Sequence, residues 1–365
     1  MKRVAVLGAG NAGCAMAAHL AKEGLEVRLY NRWENEIATL RERGGIELKG
    51  ALGEGFVPIP VITTEVAEAL EGADLVAVVV PATAHAFFAR EVAPHLRPGA
   101  VILLNPGHTG GALHFRRVLC EAGAPPVDIC ETNTNIYICR LTGPGEVTVY
   151  NLARTVFFAA LPGDRLSTML QVVGSLASNL RPVPTVLDTG FANINAIMHP
   201  PTMLLNAGWI EHSRGDFRFY ADGATPSVAR VMAEVDRERL EIMRALGVNP
   251  VPFVEVFYAY GATSERARES GSVYDAIRDS EPNRYIRAPE TMSHRFLAED
   301  IPHGLVPMEA FAQLAGMETP AISALIDLAS LVNGVDYRRE GLTLEKLGLA
   351  GMDTAAITEY VRHGS

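Results

Sequence analysis

The chain has 365 residues with a formal net charge of −10 at pH 7, and 48% of its residues are hydrophobic. This length corresponds to about two domains, and the negative charge argues against a protein that neutralises nucleic-acid phosphates. No apolar run approaches the roughly 20 residues that span a membrane, and the N-terminal apolar run is too short for a signal peptide. We therefore expect a soluble, cytoplasmic protein.

A glycine-rich loop lies between a strand and a helix at the N-terminus. The β-branched run at 3–8 leads into the sequence GAGNAG (8–13), and an alanine-rich helical segment follows. In a GxGxxG loop the first glycine permits a tight turn, the second lets the backbone approach a pyrophosphate, and the third lets helix and strand pack closely. The pattern predicts a dinucleotide-binding Rossmann domain. Its cofactor contacts are expected from Gly8, Gly10, Asn11, Ala12 and Gly13.

The second predicted strand ends in Asn31 and Arg32. At this position an NAD site usually carries an Asp or Glu that binds the ribose 2′-hydroxyl. An amide followed by a cation would instead suit a 2′-phosphate, so the sequence favours NADP over NAD as the cofactor. The alternative is that Arg32 only stacks on adenine and does not discriminate between the two.

Two further strand ends are expected near the cofactor. The apolar runs at 75–81 and 100–107 end at Pro81 and around Asn105, and the ends of such strands face the ligand in folds of this kind. We assign Pro81 and Asn105 to cofactor binding.

Polar loops that follow these strands are candidates for substrate binding. His108 lies in a second glycine-rich turn, and Thr132 and Thr134 lie where the strand at 127–134 enters a polar turn. His108 either reaches the substrate or is only a loop residue, and the sequence leaves both interpretations open.

The pattern changes to helices after about residue 190. An amphipathic helix is predicted at 227–247, with apolar residues at helical spacing and Gly247 as its C-terminal cap. The sequence therefore predicts a doubly wound, mainly parallel α/β Rossmann domain over 1–187 and a mainly α-helical domain over 188–365. The apolar content of the second domain suggests a homodimer as a hypothesis.

The helical half contains a candidate acid/base residue. Asn195 and His199 are four residues apart and so share a helix face, and Pro200 and Pro201 follow at once. The double proline is expected to break or kink the helix at His199. Because histidine titrates near neutral pH, His199 could transfer a proton to a substrate that Asn195 contacts. It could equally be a histidine bonded to a local carbonyl at a kink.

The segment around residue 300 supplies a cation and an acid. The Arg295 guanidinium could hold a substrate carboxylate through two parallel hydrogen bonds. Asp300 could hold His199 in the required tautomer, as carboxylates do behind other catalytic histidines. The alternative is a surface patch of salt bridges, because sequence spacing does not establish a contact between Asp300 and His199.

Four segments together resemble one enzyme family. These segments, GAGNAG (8–13), ETNTNIYICR (131–140), NINAIMHP (193–200) and HRFLAEDIPHGLVP (294–307), resemble the NAD/NADP octopine/nopaline dehydrogenase family. The resemblance runs along nearly the whole chain. The chain departs from the common family form at HTGG (108–111) and at Asn31.

This resemblance implies an opine dehydrogenase. Such an enzyme condenses the amino group of an amino acid with a 2-oxo acid, often pyruvate, and reduces the resulting imine with NAD(P)H. The resemblance also implies that His199 is the acid/base residue. Asp300 and Arg295 would then complete a proton relay and hold a carboxylate.

Two other functions are open at this point. A ketopantoate reductase-like or hydroxyacid dehydrogenase-like enzyme would reduce a 2-oxo acid alone, typically with a lysine, but no lysine occurs between Lys49 and Lys346. A non-catalytic NADP(H)-sensing protein would keep the glycine loop and would have no need for His199. No metal site is expected, because the four cysteines form no CxxC pair and have no metal-ligand spacing to a histidine.

Overall fold

The structure is a computed structural model, which describes residues 2–174 and 176–364. The chain forms two compact units. The first comprises Met1–Gly107, Gly111–Thr189 and Val361–Ser365, and the second comprises His108–Gly110 and Gly190–Tyr360. The loop at 108–110, which the sequence analysis counted with the N-terminal domain, therefore packs with the second unit.

The first unit contains two sheets. Its strands are β1 (Arg3–Leu7), β2 (Glu26–Tyr30), β3 (Gly45–Gly50), β4 (Gly55–Pro58), β5 (Val61–Thr63), β6 (Leu75–Val78), β7 (Val101–Leu104), β8 (Asp128–Thr132), β9 (Tyr137–Gly143), β10 (Glu146–Leu152), β11 (Val156–Leu161) and β12 (Leu180–Pro182). Eight of these strands form a sheet in the order β12-β11-β8-β7-β6-β1-β2-β5.

Neighbouring strands in the eight-stranded sheet are parallel, except for the antiparallel pair β8–β11. The central strands β6 and β7 are buried along their whole length. Strands covered on both faces have continuous apolar sequences, which is why these runs could be recognised in the sequence. The predicted mainly parallel sheet is confirmed.

The remaining four strands form a separate sheet in the order β4-β3-β10-β9. Strand β10 runs parallel to β3 and antiparallel to β9. The sequence analysis did not predict β3 and β4, because residues 45–58 are rich in glycine and have no long apolar run.

Helices connect the strands of the first unit. They are α1 (Asn11–Lys22), α2 (Glu34–Arg43), α3 (Val66–Leu70), α4 (His85–Val92), α5 (Gly111–Glu121), α6 (Leu166–Val173) and α7 (Val186–Phe191), which continues into the second unit. Single 3₁₀ turns lie at Ala82–Ala84, Ala93–His95 and Gly163–Arg165.

The second unit is helical, as predicted. Its helices are α8 (Asn195–Leu204), α9 (Ala207–Ser213), α10 (Pro226–Ala245), α11 (Phe253–Tyr260), α12 (Glu265–Glu269), α13 (Val273–Arg278), α14 (Arg295–Ala298), a π-helical turn at Ile301–Leu305, α15 (Val306–Leu314), α16 (Pro320–Asn333), α17 (Tyr337–Glu340) and α18 (Thr354–His363), which ends in the first unit. Across 2–174 and 176–364, no helix has both the length and the apolar character needed to cross a bilayer.

The predicted amphipathic helix is α10. The Thr225 side chain caps its N-terminus by accepting a hydrogen bond from the backbone N–H of Val228. Gly247, with a φ of +67°, follows the C-terminal end in the left-handed conformation that glycine adopts most easily.

The double proline does not break helix α8 at His199, so the expected break is wrong. The helix continues to Leu204, with Pro200 and Pro201 inside it. Every residue from Ala196 to Leu204 is buried, so packing holds the helical conformation although each proline lacks a backbone donor. The hydroxyl of Thr202 donates to the carbonyl of Met198 at 2.6 Å and satisfies one acceptor in this stretch.

Gly13 provides a test of the turn between β1 and α1. A Cβ atom at Gly13 would lie 1.7 Å from the carbonyl oxygen of Gly8, whereas a Cβ atom at Gly10 would meet nothing within 4 Å. We expect Gly13→Ala to lower the free energy of unfolding by about 2 kcal/mol, because the backbone of the turn must shift. Gly10→Ala is the matched control and should change it by less than about 0.5 kcal/mol in urea unfolding. Equal losses in the two variants would contradict the close packing.

Candidate active site

His199 and Asp300 form a buried hydrogen-bonded pair in the second unit. The Nδ1 atom of His199 lies 2.6 Å from Oδ2 of Asp300, and both residues are buried. The structure therefore brings together two residues that lie 101 positions apart. With an ionised Asp300, Nδ1 donates the proton of this bond, and Nε2 becomes the nitrogen that accepts or releases a proton.

The Nε2 atom of His199 contacts Tyr220. The phenolic oxygen lies 2.8 Å from Nε2, so the Tyr220 hydroxyl donates to this nitrogen when the imidazole is neutral. The imidazole also stacks on the ring of Phe296, with 3.8 Å between centroids and 19° between planes. Contacts at both nitrogens and on one face fix the orientation of the imidazole.

Asp300 lies between helix α14 and a π-helical turn. Helix α14 ends at Ala298, and the π-helical turn begins at Ile301. The backbone N–H of Leu305 donates to the carbonyl of Asp300 at 3.0 Å, a five-residue spacing that is wider than an α-helical turn. Isolated π-helical turns of this kind are frequent at functional sites.

The Arg295 side chain contacts Glu299, the residue before Asp300. Its Nε and Nη2 atoms lie 2.9 and 2.6 Å from Oε2 of Glu299. The two residues are one helical turn apart, so the pairing follows from local geometry. The Arg295 side chain is 54% exposed, whereas that of Glu299 is 2% exposed. The partly exposed guanidinium of Arg295 thus forms an ion pair with the buried carboxylate of Glu299.

His108 lies on the other oxygen of Glu299. Its Nε2 atom is 3.1 Å from Oε1, at ion-pair distance but without the alignment of a hydrogen bond. Burial lowers the pKa of His108, but the nearby carboxylates, Glu299 first and then Asp300, raise it above its usual value. The raised pKa favours a charged imidazolium beside the buried carboxylate.

The loop that carries His108 is bonded within the second unit. The backbone N–H of Thr109 donates to the carbonyl of His303 at 3.2 Å, and the Thr109 hydroxyl donates to the carbonyl of Gly190 at 3.1 Å. His108 has a φ of +62°, which costs a non-glycine residue roughly 1–2 kcal/mol. Such strain persists only where the surroundings enforce it, and it is often found at functional sites.

The glycine loop of the first unit has the geometry of a phosphate cradle. Gly8 has a φ of +108°, and its backbone N–H donates to the carbonyl of Tyr30 at 2.8 Å. Gly10 is exposed at the N-terminus of α1, where no side chain caps the helix. Asn11 uses Oδ1 to accept from the backbone N–H of Leu141, and Ala12 is half-buried beside it.

Asn31 and Arg32 have different surroundings at the end of β2. Asn31 is buried, and its Nδ2 atom donates to Oε2 of Glu36 at 2.5 Å. The Arg32 guanidinium lies over two aromatic rings, 4.2 Å from the centroid of Trp33 and 4.4 Å from that of Phe87.

The other predicted contacts of the first unit lie at strand ends. Pro81 is exposed after β6. Asn105 is buried after β7, and its Oδ1 atom accepts from the hydroxyl of Thr132 at 2.9 Å. Thr134 is half-buried in the loop after β8. The ligand contacts assigned to these residues stay predictions, as does that of Asn195, which is half-buried at the start of α8.

Two family models match the sequence. The model of the NAD/NADP octopine/nopaline dehydrogenase alpha-helical domain matches residues 182–333, and that of ketopantoate reductase PanE/ApbA matches residues 4–112. An opine dehydrogenase of Arthrobacter sp. (strain 1C) is 38% identical over 362 residues, covering 99% of both chains. The chain belongs to the NAD/NADP octopine/nopaline dehydrogenase family. Protein ocs of Agrobacterium tumefaciens (strain Ach5) is a more distant relative, 28% identical with 98% of each chain covered.

Solved structures of two other dehydrogenases share the fold. Octopine dehydrogenase with NADH and L-arginine matches with a TM-score of 0.78 at 21% identity, covering 100% of this chain and 98% of that one. Yersinopine dehydrogenase with NADP⁺ bound matches with a TM-score of 0.74 at 16% identity, covering 99% and 98%. The predicted two-part architecture and the resemblance to this family are confirmed.

The sequence analysis missed two residues that contact the predicted catalytic group. Glu299 precedes Asp300 in the segment HRFLAEDIPHGLVP (294–307). Its acidic side chain next to a predicted catalytic residue could have marked it as a candidate site residue. Tyr220 contacts His199 from 21 positions away, and no local pattern in the sequence indicates that contact.

The raised pKa of His108 can be measured directly. We expect the imidazole to titrate above the ordinary histidine value of about 6.5, because the Glu299 carboxylate favours its charged form. Glu299→Gln removes this charge but keeps the burial, so the pKa of His108 should fall below about 6.5. Histidine NMR titration, assigned with His108→Gln, provides the measurement.

A matched control for this titration is Glu309→Gln. Glu309 is also a buried glutamate with an arginine partner, Arg338. Its removal should leave the pKa of His108 unchanged. Equal titration of His108 in the wild type and in Glu299→Gln would show that the carboxylate does not control it.

Proposed function

We propose that this protein is an opine dehydrogenase, which joins the amino group of an amino acid to a 2-oxo acid and reduces the imine with a nicotinamide dinucleotide. The observation that carries this proposal is the 38% identity to an opine dehydrogenase along 99% of both chains. The buried pair of His199 and Asp300 supplies the proton-transfer group that such a reaction requires.

The glycine loop fits a dinucleotide. The open space beside Gly10 leaves room for a pyrophosphate, and the first N–H groups of α1 have no acceptor within the helix. Gly8, Gly10, Asn11, Ala12 and Gly13 would hold the phosphates, mainly through backbone groups, and Pro81 and Asn105 would lie towards the nicotinamide. The cofactor, when bound, supplies the hydride for reduction of the imine.

We propose that the cofactor can be NADP(H). The Arg32 guanidinium lies over two aromatic rings, and a cation placed in this way after β2 suits a 2′-phosphate. Solved structures of the fold include one with NADH and one with NADP⁺.

His199 is proposed as the acid/base residue. Formation of the imine needs a proton for the departing hydroxyl, and Nε2 is the atom that can supply it once Nδ1 is bonded to Asp300. The hydrogen bond to Asp300 fixes the orientation and tautomer of the imidazole. The Tyr220 hydroxyl contacts the same Nε2 atom, so it can pass a proton between His199 and the substrate.

Arg295 is proposed to bind the carboxylate of the 2-oxo acid. Its guanidinium is partly exposed, and Glu299 holds it from the buried side. His108 shares the same glutamate and is the second candidate for contact with an anionic substrate. Asn195, one turn before His199, and the two threonines Thr132 and Thr134 complete the proposed substrate contacts.

A 2-oxo acid reductase is the second candidate function. The match of residues 4–112 to ketopantoate reductase PanE/ApbA favours it, although that match covers only the N-terminal part of the chain.

We further propose that the protein is a cytoplasmic homodimer. Leu328, Leu331 and Val332 are exposed on α16 and supply an apolar surface for such an assembly.

Dependence on both substrates distinguishes the two candidate functions. We expect oxidation of NADPH or NADH by the protein to require pyruvate or another 2-oxo acid together with an L-amino acid, because the imine forms only from both. The measurement is nucleotide absorbance with each component omitted in turn. Oxidation with the oxo acid alone would replace the proposal with 2-oxo acid reduction.

The proton-transfer roles can be tested by substitution. His199→Gln and Asp300→Asn should each lower kcat by about 10²–10⁴-fold, because the proton donor or the carboxylate that orients it is lost. Tyr220→Phe removes only the hydroxyl at Nε2 and should lower kcat by about tenfold. Steady-state kinetics would be measured beside nucleotide binding, which should be unchanged.

The matched control is Asp353→Asn, which alters an exposed aspartate of the same unit. It should leave kcat at the wild-type value. Unchanged kcat in His199→Gln would remove His199 from the mechanism.

A further inference from the structure

The end of β2 lies next to the glycine loop. The backbone N–H of Gly8 donates to the carbonyl of Tyr30, the last residue of β2, and the N–H of Asn31 donates to the carbonyl of Thr63. In dinucleotide-binding domains the residue after this strand faces the 2′ position of the adenosine ribose. Asn31 therefore occupies the position at which NAD and NADP differ.

The carboxylate of Glu36 is hydrogen-bonded to the side chain of Asn31. Glu36 is exposed in the first turn of α2, and its Oε2 atom accepts from Nδ2 of Asn31 at 2.5 Å. This bond fixes the direction of the amide, because Nδ2 is used as the donor to Glu36. Oδ1 of Asn31 is then the acceptor that a ribose hydroxyl can approach, in the role that an aspartate oxygen has in other NAD sites.

The charge of Glu36 is not balanced by a neighbouring cation. Glu34, in the same helical turn, pairs with Arg41 at 2.7 Å. Within the described part of the chain, Glu36 has no cation at ion-pair distance, and its hydrogen-bond partner is the neutral amide of Asn31. Its negative charge therefore acts on any phosphate placed beside Asn31.

Arg32 has the opposite effect at the same strand end. Its guanidinium lies over Trp33 and Phe87, so a cation and an anion are both close to Asn31 in the chain. A 2′-phosphate is attracted by the first and repelled by the second, whereas a 2′-hydroxyl is not repelled by either.

We propose that Glu36, acting through Asn31, is a specificity-determining residue that favours NAD(H) and opposes the preference for NADP(H) set by Arg32. The protein therefore binds both cofactors. The acid that is missing at Asn31 is supplied from the following helix. This proposal rests on the proposed function as a dinucleotide-dependent enzyme.

The test is the binding of NADH and NADPH to the full-length protein, measured by nucleotide fluorescence. Glu36→Gln keeps an oxygen that can accept from Asn31 but removes the charge. It should strengthen NADPH binding relative to NADH by about tenfold, the size expected for one charge near an exposed phosphate. Arg32→Ala should shift the ratio of the two Kd values in the opposite direction.

Glu34→Gln is the matched control, because it removes the same charge from the same helical turn. It should leave the ratio of Kd values unchanged. An equal shift of the Kd ratio in Glu34→Gln and Glu36→Gln would mean that any negative charge at the start of α2 has this effect, and it would overturn the proposal. An unchanged Kd ratio in Glu36→Gln would overturn it as well. Folded wild-type protein that binds neither nucleotide would instead remove the proposed function, and this inference with it.

Discussion

Two consecutive buried carboxylates, Glu299 and Asp300, each contact a different histidine, and the candidate site of the second unit is organised around them. A buried carboxylate is costly unless it is paired, and two adjacent ones would also repel each other. Asp300 bonds to His199, while Glu299 lies between Arg295 and His108. The Arg295 guanidinium therefore pairs with the charge of Glu299, and a hydrogen bond from His199 satisfies Asp300.

This pairing explains where the loop at 108–110 belongs. His108 contacts Glu299, and Thr109 bonds to the backbone carbonyls of His303 and Gly190 in the second unit. The loop leaves the parallel sheet of the first unit and yet packs with the second. The left-handed backbone of His108 is consistent with this, because a strained residue needs strong local contacts to hold it.

The end of β2 shows how one chemical role can be divided between two residues. The strand ends in an amide where an acid is usual, but the next helix places a carboxylate on that amide. Under the proposal made above, recognition of a ribose hydroxyl would depend on this pair and not on the identity of one position. Arg32, which lies close to two aromatic rings, would add a competing charge, and the choice of cofactor would depend on the balance between Glu36 and Arg32.

The sequence by itself determined the main parallel strands of the first unit, the helical character of the second, the glycine loop and the family. These features depend on local periodicity, on backbone preferences at a few glycines and on short motifs, all of which are written along the chain. The amphipathic helix at 227–247 was recognised for the same reason. Only the tertiary structure decided that His108 contacts Glu299, that Tyr220 contacts His199, that Glu36 contacts Asn31 and that α8 continues through its prolines. These outcomes depend on side-chain directions and on packing between distant segments, and no local pattern in the sequence encodes either of them.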